Sequence, residues 1–508
     1  MHFYLNTSKY LPIDRKNIIV LSHDSWDDWF TYSTLYTVMY YDEQGTPEYL
    51  GSIKIGQYGM KSGQRSPSLP DHFQILDDDF FSVGQDVSYY ELLNSYGEEF
   101  RDSTLVALKD MANDSHIYES ALKENVTKIS LLRSVSQSSV EGQYRRLAQG
   151  HATLTPYHFH YYASIHPNSL EKRMILDFDI IPNSNPPTNI HVIIGRNGVG
   201  KTYLFDNMIT TLLNGNKSSN KIGYFENDNQ KTEDLFANLV SVSFSAFDET
   251  DPIKEKRDKT KYLNYSYIGL KRINTDNSKL SPPKSPIILK NEFVKSIEQC
   301  RLTGKSSRWL RALEILETDP IFEEAGISQI AKIDINTDFT EVASAIFKRL
   351  SSGHKIVLLT MTRLVETIEE RSLVLLDEPE GYLHPPLLSA FIRALSDLLS
   401  NRNAVALIGT HSPVVLQEVP RSCVWKLRRV GANSIAERLE IETFGENVGL
   451  LTQEVFGLEV TNSGFHKILQ KLAEQYDSYK NALASLDGHL GMEGRAILRN
   501  LMQDNEAN

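Results

Sequence analysis

Residues 191–207, HVIIGRNGVGKTYLFDN, constrain the fold of this chain more than any other stretch. An apolar run (Val192, Ile193, Ile194) leads into Gly195-Arg196-Asn197-Gly198-Val199-Gly200-Lys201-Thr202, and a helical pattern follows. The octapeptide fits G-x-x-x-x-G-K-[ST], the pattern of a phosphate-binding loop. Gly195, Gly198 and Gly200 let the backbone turn tightly, so that successive N–H groups can point at phosphate oxygens. A helix starting near Lys201 adds its positive dipole end. Lys201 can reach the β and γ phosphates of ATP, and the Thr202 hydroxyl can hold Mg²⁺. Tyr203 follows directly and joins the loop among the nucleotide-binding candidates.

Three further stretches carry related chemistry. Ser372 to Pro386 reads SLVLLDEPEGYLHPP. Its unbroken apolar run is that of a parallel strand buried on both faces. Asp377 ends the strand, where a carboxylate faces the crevice beside the phosphate loop and can hold Mg²⁺. Glu378 stands one residue on and can deprotonate an attacking water. Val405 to Pro413, VALIGTHSP, is another apolar strand, with His411 at its end within reach of a γ-phosphate. Leu350-Ser351-Ser352-Gly353-His354-Lys355 precedes a helical run, and a Ser-Ser-Gly turn at a helix start suits an anion.

In their order along the chain, the four motifs resemble those of the ABC-type ATPases. The phosphate loop resembles Walker A, and Asp377-Glu378 resembles Walker B with its catalytic glutamate. Leu350 to His354 is similar to the signature motif, and His411 to the switch histidine. The resemblance implies an α/β ATPase head: a P-loop sheet with a helical signature subdomain. It also implies that two heads sandwich ATP, so that Ser351 and Gly353 of one act on the nucleotide of the other. Asp377-Glu378-Pro379-Glu380-Gly381-Tyr382-Leu383-His384-Pro385 and Gly409-Thr410-His411-Ser412-Pro413 look like motifs of the OLD, RecF and SMC-like ATPases. Many of these belong to anti-phage systems such as Septu, Gabija and PARIS, in which an ATPase is coupled to a nuclease. Two departures stand out. The signature reads Ser-Ser-Gly-His, and the strand ending at Phe247 lacks the family's Q-loop glutamine, leaving Ser245 or Asp248 in its place.

The rest of the chain is less specific. Residues 1–150 are expected to form a mixed β-rich and helical extension, 151–460 the ATPase head and 461–508 C-terminal helices. Residues 1–100 read mostly as strand and loop, with a hairpin of Leu35–Tyr41 and Tyr49–Ile55. Trp26, Trp29 and Phe30 read as core aromatics, and Asp77-Asp78-Asp79 as a solvated run. Helices are expected over Ser103–Met111, capped by that serine, over Ser120–Arg133, and over Val140–Ala148 up to Gly150. His158 and His160 share one strand face; with no third ligand identifiable, they read as a surface or core pair. Asp177-Phe178-Asp179 reads as scaffold leading to the phosphate loop. Lys254, Lys256, Arg257, Lys259 and Lys261 form a charged segment, and Arg301, Lys305, Arg308 and Arg311 flank Trp309.

A formal charge of −12 over 508 residues argues against a uniformly basic nucleic-acid surface, though a local groove stays open. Two cysteines without a Cys-x-x-Cys support neither a zinc ribbon nor a disulfide framework. No apolar run approaches a membrane span and no signal peptide is seen, so a soluble, cytoplasmic protein without a membrane partner is expected. No D-x-D follows His411, so a fused Toprim nuclease is not expected and any nuclease would be a separate effector. The reading is an ATPase that dimerises on ATP and regulates such an effector in anti-phage defence. The alternatives are a RecF-like DNA-repair ATPase that binds nucleic acid itself, or a low-turnover ATP-dependent scaffold.

Overall fold

The computed structural model describes residues 1–24, 31–60, 63–135, 137–150, 154–164, 173–216, 221–227, 235–244, 252–253, 263–273, 282–302, 305–333, 339–430, 433–457 and 464–506. The Trp26, Trp29 and Phe30 cluster, Ser245 and Asp248, and the Lys254–Lys261 segment lie outside these residues.

The N-terminal part is built on a six-stranded sheet. Its strands are β1 (His2–Leu5), β2 (Ile18–His23), β3 (Leu35–Tyr41), β4 (Pro47–Gln57), β5 (His72–Phe73) and β6 (Phe80–Gly84). Their order is β5-β1-β2-β3-β4-β6, with β3 and β4 forming the expected hairpin. Helices then cover the sheet, and one core runs through both, from Phe3 to Ala148. Two of these helices fall where strand or loop is expected. Val87–Ser95 is capped by Asp86, whose carboxylate accepts the Ser88 N–H; Tyr89 and Tyr90, aromatic residues common in strands, mask the helical spacing of Val87, Tyr90 and Leu93. Glu98–Ala107 starts after Gly97 at φ 96°, without a side-chain cap. Ser103 is therefore mid-helix, its hydroxyl donating to the Phe100 carbonyl, rather than a cap. Over 120–133, helix Ser115–Ala121 gives way to a single wide turn, Thr127–Leu131.

The remaining sheets belong together. An antiparallel sheet, β10-β7-β8, joins β7 (Tyr157–Tyr162), β8 (Ile175–Ile180) and β10 (Tyr224–Glu226). The large sheet contains β9 (Ile190–Ile194), β11 (Asn238–Ser243), β12 (Asn264–Gly269), β13 (Leu373–Asp377), β14 (Val405–Thr410), β15 (Val424–Val430) and β16 (Asn433–Glu437). Its order is β12-β11-β13-β14-β9-β15-β16, parallel except for the β15–β16 edge. β9, β13 and β14 are apolar and almost wholly buried, as parallel strands covered on both faces must be. Helices over 286–368 pack with β9, β11, β13, β14 and the helix Pro385–Ser400 into one core. Helices Gly464–Gln475, Tyr479–Ala484 and Met492–Glu506 bury a small core of their own. No helix among the described residues is long and apolar enough to cross a membrane.

The N-terminal helices are fastened to the head by a buried ionic knot. Asp86, at the start of helix Val87–Ser95, pairs with Arg308 of helix Ser306–Leu316 and, at 3.3 Å, with Arg402 at the end of helix Pro385–Ser400. Burial alone would favour the protonated acid. The two guanidiniums and Lys305 outweigh it and hold the Asp86 pKa below its usual value. Arg146 and Glu370 form a second pair across the same junction.

Two outcomes follow for stability. Asp86→Ala leaves two buried guanidiniums without their shared anion and should lower unfolding free energy by about 3–5 kcal/mol in chemical denaturation. His191, on β9, is pushed down to a pKa of about 3, first by burial and then by nearby Arg438. An unfolded histidine takes up a proton near pH 6.5, so stability present above that pH should be lost as pH falls toward 3. His191→Gln should flatten this limb of a pH-stability series.

Candidate functional site

The register of the large sheet lines up the carboxyl ends of four strands. Ser243 of β11 stands beside Asp377 of β13, Asp377 beside Gly409 of β14, and Thr410 beside Ile194 of β9. Everything that follows these strands converges on one crevice.

Gly195 leaves β9 with its α-carbon against β15: a Cβ here would lie 2.5 Å from the Leu427 carbonyl oxygen. Gly198 and Gly200 take φ of 79° and 102°, the left-handed region that glycine enters at no steric cost. Arg196, Asn197 and Gly198 are exposed at the turn, whereas Val199 is packed beneath it. Gly200 hands over to helix Lys201–Leu213, whose first N–H groups face the loop. Lys201 is buried, and its ammonium donates to the Gly195 and Arg196 carbonyls at 3.0 and 3.1 Å. Tyr203, on this helix, lies 62% exposed.

The helix after the loop and strand β13 are tied directly. The Thr202 hydroxyl donates to Asp377 Oδ2 at 2.6 Å. Where a hydroxyl and a carboxylate oxygen meet in this way, a hard divalent cation finds two adjacent oxygen ligands. Phosphate oxygens held by the loop would complete the set, so the residues present fit Mg²⁺ bound with ATP. Gly409 leaves room for this: a Cβ there would stand 3.0 Å from Asp377 Oδ1 and from the Phe205 ring.

Glu378 adopts φ 45°, an unusual conformation for a residue with a side chain, and its N–H is anchored on the Gly409 carbonyl at 2.8 Å. The turn aims its carboxylate at Lys201 Nζ (3.5 Å) and His411 Nδ1 (3.7 Å). Glu380, which carries no role in the sequence reading, is the organiser of this corner. Its Oε1 accepts the Thr410 hydroxyl (2.5 Å) and the His411 N–H (2.7 Å) and lies 3.1 Å from His411 Nδ1. The second acid of Asp-Glu-Pro-Glu was the available signal. A small cleft beside Thr202 and Asp377 is also lined by Ser243, Tyr267 and buried Lys271, a second lysine with no motif to announce it.

Ser351 and Gly353 sit apart from this cluster, at the start of helix Ser352–Thr367. Ser351 is the exposed N-cap, its hydroxyl 2.7 Å from His354 Nδ1, and His354 Nε2 lies 3.0 Å from Asp319 Oδ1. His354 and Asp319 are both buried. Asp319 also caps helix Pro320–Ala325, accepting the Ile321 N–H at 3.0 Å. The histidine that departs from the usual signature thus holds the serine hydroxyl in place. Gly353 packs against the Tyr382 carbonyl oxygen, 2.6 Å from where a Cβ would stand, which ties this helix to the turn after Glu378.

A strand, phosphate loop and helix, with an acid at the end of a strand next but one in the sheet, define a P-loop ATPase. Residues 309–417 match the family described as "AAA domain, putative AbiEii toxin, Type IV TA system". Across 98% of its length the chain is 40% identical to protein ea59 of Escherichia phage lambda, covering 97% of that protein, and it belongs to the same family. Among solved structures it is similar to an ATP-binding cassette of an ABC transporter in its ADP conformation (13% identity, 61% of this chain and 100% of that chain, TM-score 0.31). It is likewise similar to cbiO1 of Clostridium perfringens, part of the transporter complex cbiONQ (15% identity, 63% and 95%, TM-score 0.28).

Gly195→Ala forces backbone against backbone and should cost about 1–3 kcal/mol of stability together with nucleotide affinity. Gly381, with open space around its α-carbon, is the control: Gly381→Ala should stay within about 0.5 kcal/mol of the parent. Thermal unfolding with and without ATP reads both.

Proposed function

We propose that the chain binds ATP with Mg²⁺ and hydrolyses it as an ABC-type switch. One observation carries this: Lys201, the Thr202–Asp377 pair, Glu378 and His411 converge at the carboxyl ends of adjacent strands. In this reading the loop amides and Lys201 hold the β and γ phosphates. Thr202 and Asp377 would hold the cation, which would supply positive charge against the phosphates. Glu378 accepts the proton of the attacking water, and His411, oriented by Glu380, donates a hydrogen bond toward the γ-phosphate. The carboxylate of Glu378 and the ammonium of Lys201 already lie 3.5 Å apart, so nucleotide binding redirects an existing ion pair.

The exposure of Ser351 at a helix N-terminus supports action on a second copy's nucleotide. The working unit is then a head-to-head dimer closed by ATP and released by hydrolysis. We further propose that the dimer governs a separate effector, a nuclease or toxin, in defence against phage. The ATPase motifs support this reading, and the N-terminal unit fastened through Asp86 is the surface offered for docking.

Glu378→Gln should lower ATP turnover by about 10²–10⁴-fold. It should retain nucleotide and accumulate as a dimer in native mass measurement with ATP. Unchanged turnover would remove Glu378 from the mechanism. The defence role fails if deleting the gene leaves phage sensitivity unchanged while the purified protein hydrolyses ATP.

A further inference from the structure

The antiparallel pair β7–β8 brings together four side chains that the sequence presents as two unrelated motifs. Along β7, Tyr157, Phe159 and Tyr161 are buried, and His158 and His160 point to the opposite, open face. Phe178 and Ile180 of β8 go into the same core, which leaves Asp177 and Asp179 on the open side. The register then sets His158 opposite Asp179 and His160 opposite Asp177. The third ligand that the sequence does not reveal thus comes from the neighbouring strand. His160 Nδ1 and Asp177 Oδ1 are 2.5 Å apart, and His158 Nε2 and Asp179 Oδ1 3.7 Å. The imidazole rings meet edge to face at 4.2 Å between centroids. One ligand atom from each of His158, His160 and Asp177 lies within 4.8 Å of the other two.

We infer that this face is a binding site for a divalent transition-metal ion of the zinc class, with His158, His160 and Asp177 as ligands and Asp179 beside His158. Two imidazole nitrogens select such an ion over Mg²⁺ or Ca²⁺, which take oxygen sets. With metal–ligand distances of about 2.0–2.2 Å, tetrahedral ligand atoms stand roughly 3.4 Å apart. The His160–Asp177 contact opens slightly to reach that spacing, the ion replacing their shared proton. His158, His160 and the ring separations need only side-chain rotation. The two aspartates neutralise the charge of the ion.

The platform is held from behind. The Asp177 carbonyl accepts the Trp425 indole N–H (3.2 Å) and the Arg438 guanidinium (3.1 Å), and Arg438 stacks 3.7 Å over the Trp425 ring. The Asp179 carbonyl lies 3.2 Å from His191 Nε2. Ligands borne on paired strands with a fixed backbone lose little freedom on binding. Glu226 faces His160 from β10 but is engaged by the Tyr162 hydroxyl. The other His-containing cluster, Asp319, His354 and His384, is a poorer cage, because Asp319 is already committed to a helix cap.

Metal-stripped full-length protein is titrated with ZnCl₂ against a chromophoric chelator and, separately, followed by thermal unfolding. The parent should take up an equivalent of Zn²⁺ that millimolar Mg²⁺ does not displace, with a rise in Tm. His158→Ala/His160→Ala should lose that equivalent and the Tm rise, whereas His384→Ala should keep both. Should the double alanine variant unfold, Asp177→Asn/Asp179→Asn preserves side-chain shape and should weaken binding at least tenfold. Co²⁺ in the parent should give the intense visible bands of a tetrahedral site. No Zn²⁺ uptake by the parent, or equal uptake by parent, His-variant and Asp-variant, would overturn the assignment and leave the face as two His–Asp pairs.

Discussion

Asp86 holds the molecule together as one object. It starts a helix in the N-terminal unit, and its two partners sit near the ends of two head helices that pack against each other. A carboxylate this deeply buried is tolerable only while both guanidiniums are present, and neither arginine is tolerable without it. The junction is therefore all or none. It specifies one docking geometry where an apolar contact would permit several. Arg308 precedes Trp309, which lies fully buried in the core beneath the helix begun by Ser351. The N-terminal unit is thus in register with the helical subdomain, and not merely attached to it.

At the nucleotide crevice, the chemistry depends on backbone positions that only particular residues permit. Gly195, Gly409 and Gly353 each stand where a methyl group would strike a carbonyl, a carboxylate or a ring. Glu378 bears a conformation that costs on the order of 1 kcal/mol and is held there by the Gly409 carbonyl. Glu380 then fixes His411 through its backbone and its ring together. Strain at one acid and the bonds that Thr410 and His411 donate to the other place two carboxylates two residues apart in different roles.

Much of this was legible in the sequence, for identifiable reasons. The phosphate loop, Asp377, Glu378 and His411 are carried by local patterns: buried apolar strands followed by residues of one chemical type. Their convergence depended only on parallel strands ending together. The β3–β4 hairpin was legible because alternation and a turn cluster coincide. Helices Val87–Ser95 and Glu98–Ala107 were not, because tyrosines disguise the first and the second begins at a glycine without a side-chain cap. Asp86, Asp319 and Lys271 had no motif around them; the first two take their roles from partners 222 and 35 residues away, and Lys271 from the wall of a cleft. The facing of His158 and His160 by Asp179 and Asp177 is a property of strand register, which a single strand cannot show.

The order of strands in the large sheet has a consequence for how the protein is made. β9, which carries the phosphate loop, has β14 and β15 as its neighbours, and β14 separates it from β13. Until Thr410 has left the ribosome, the loop strand has no partner in its sheet and Asp377 has no route to Thr202. The nascent chain can complete its N-terminal sheet long before this. The crevice itself closes only after β14 has been synthesised, so nucleotide cannot guide the folding of what precedes it.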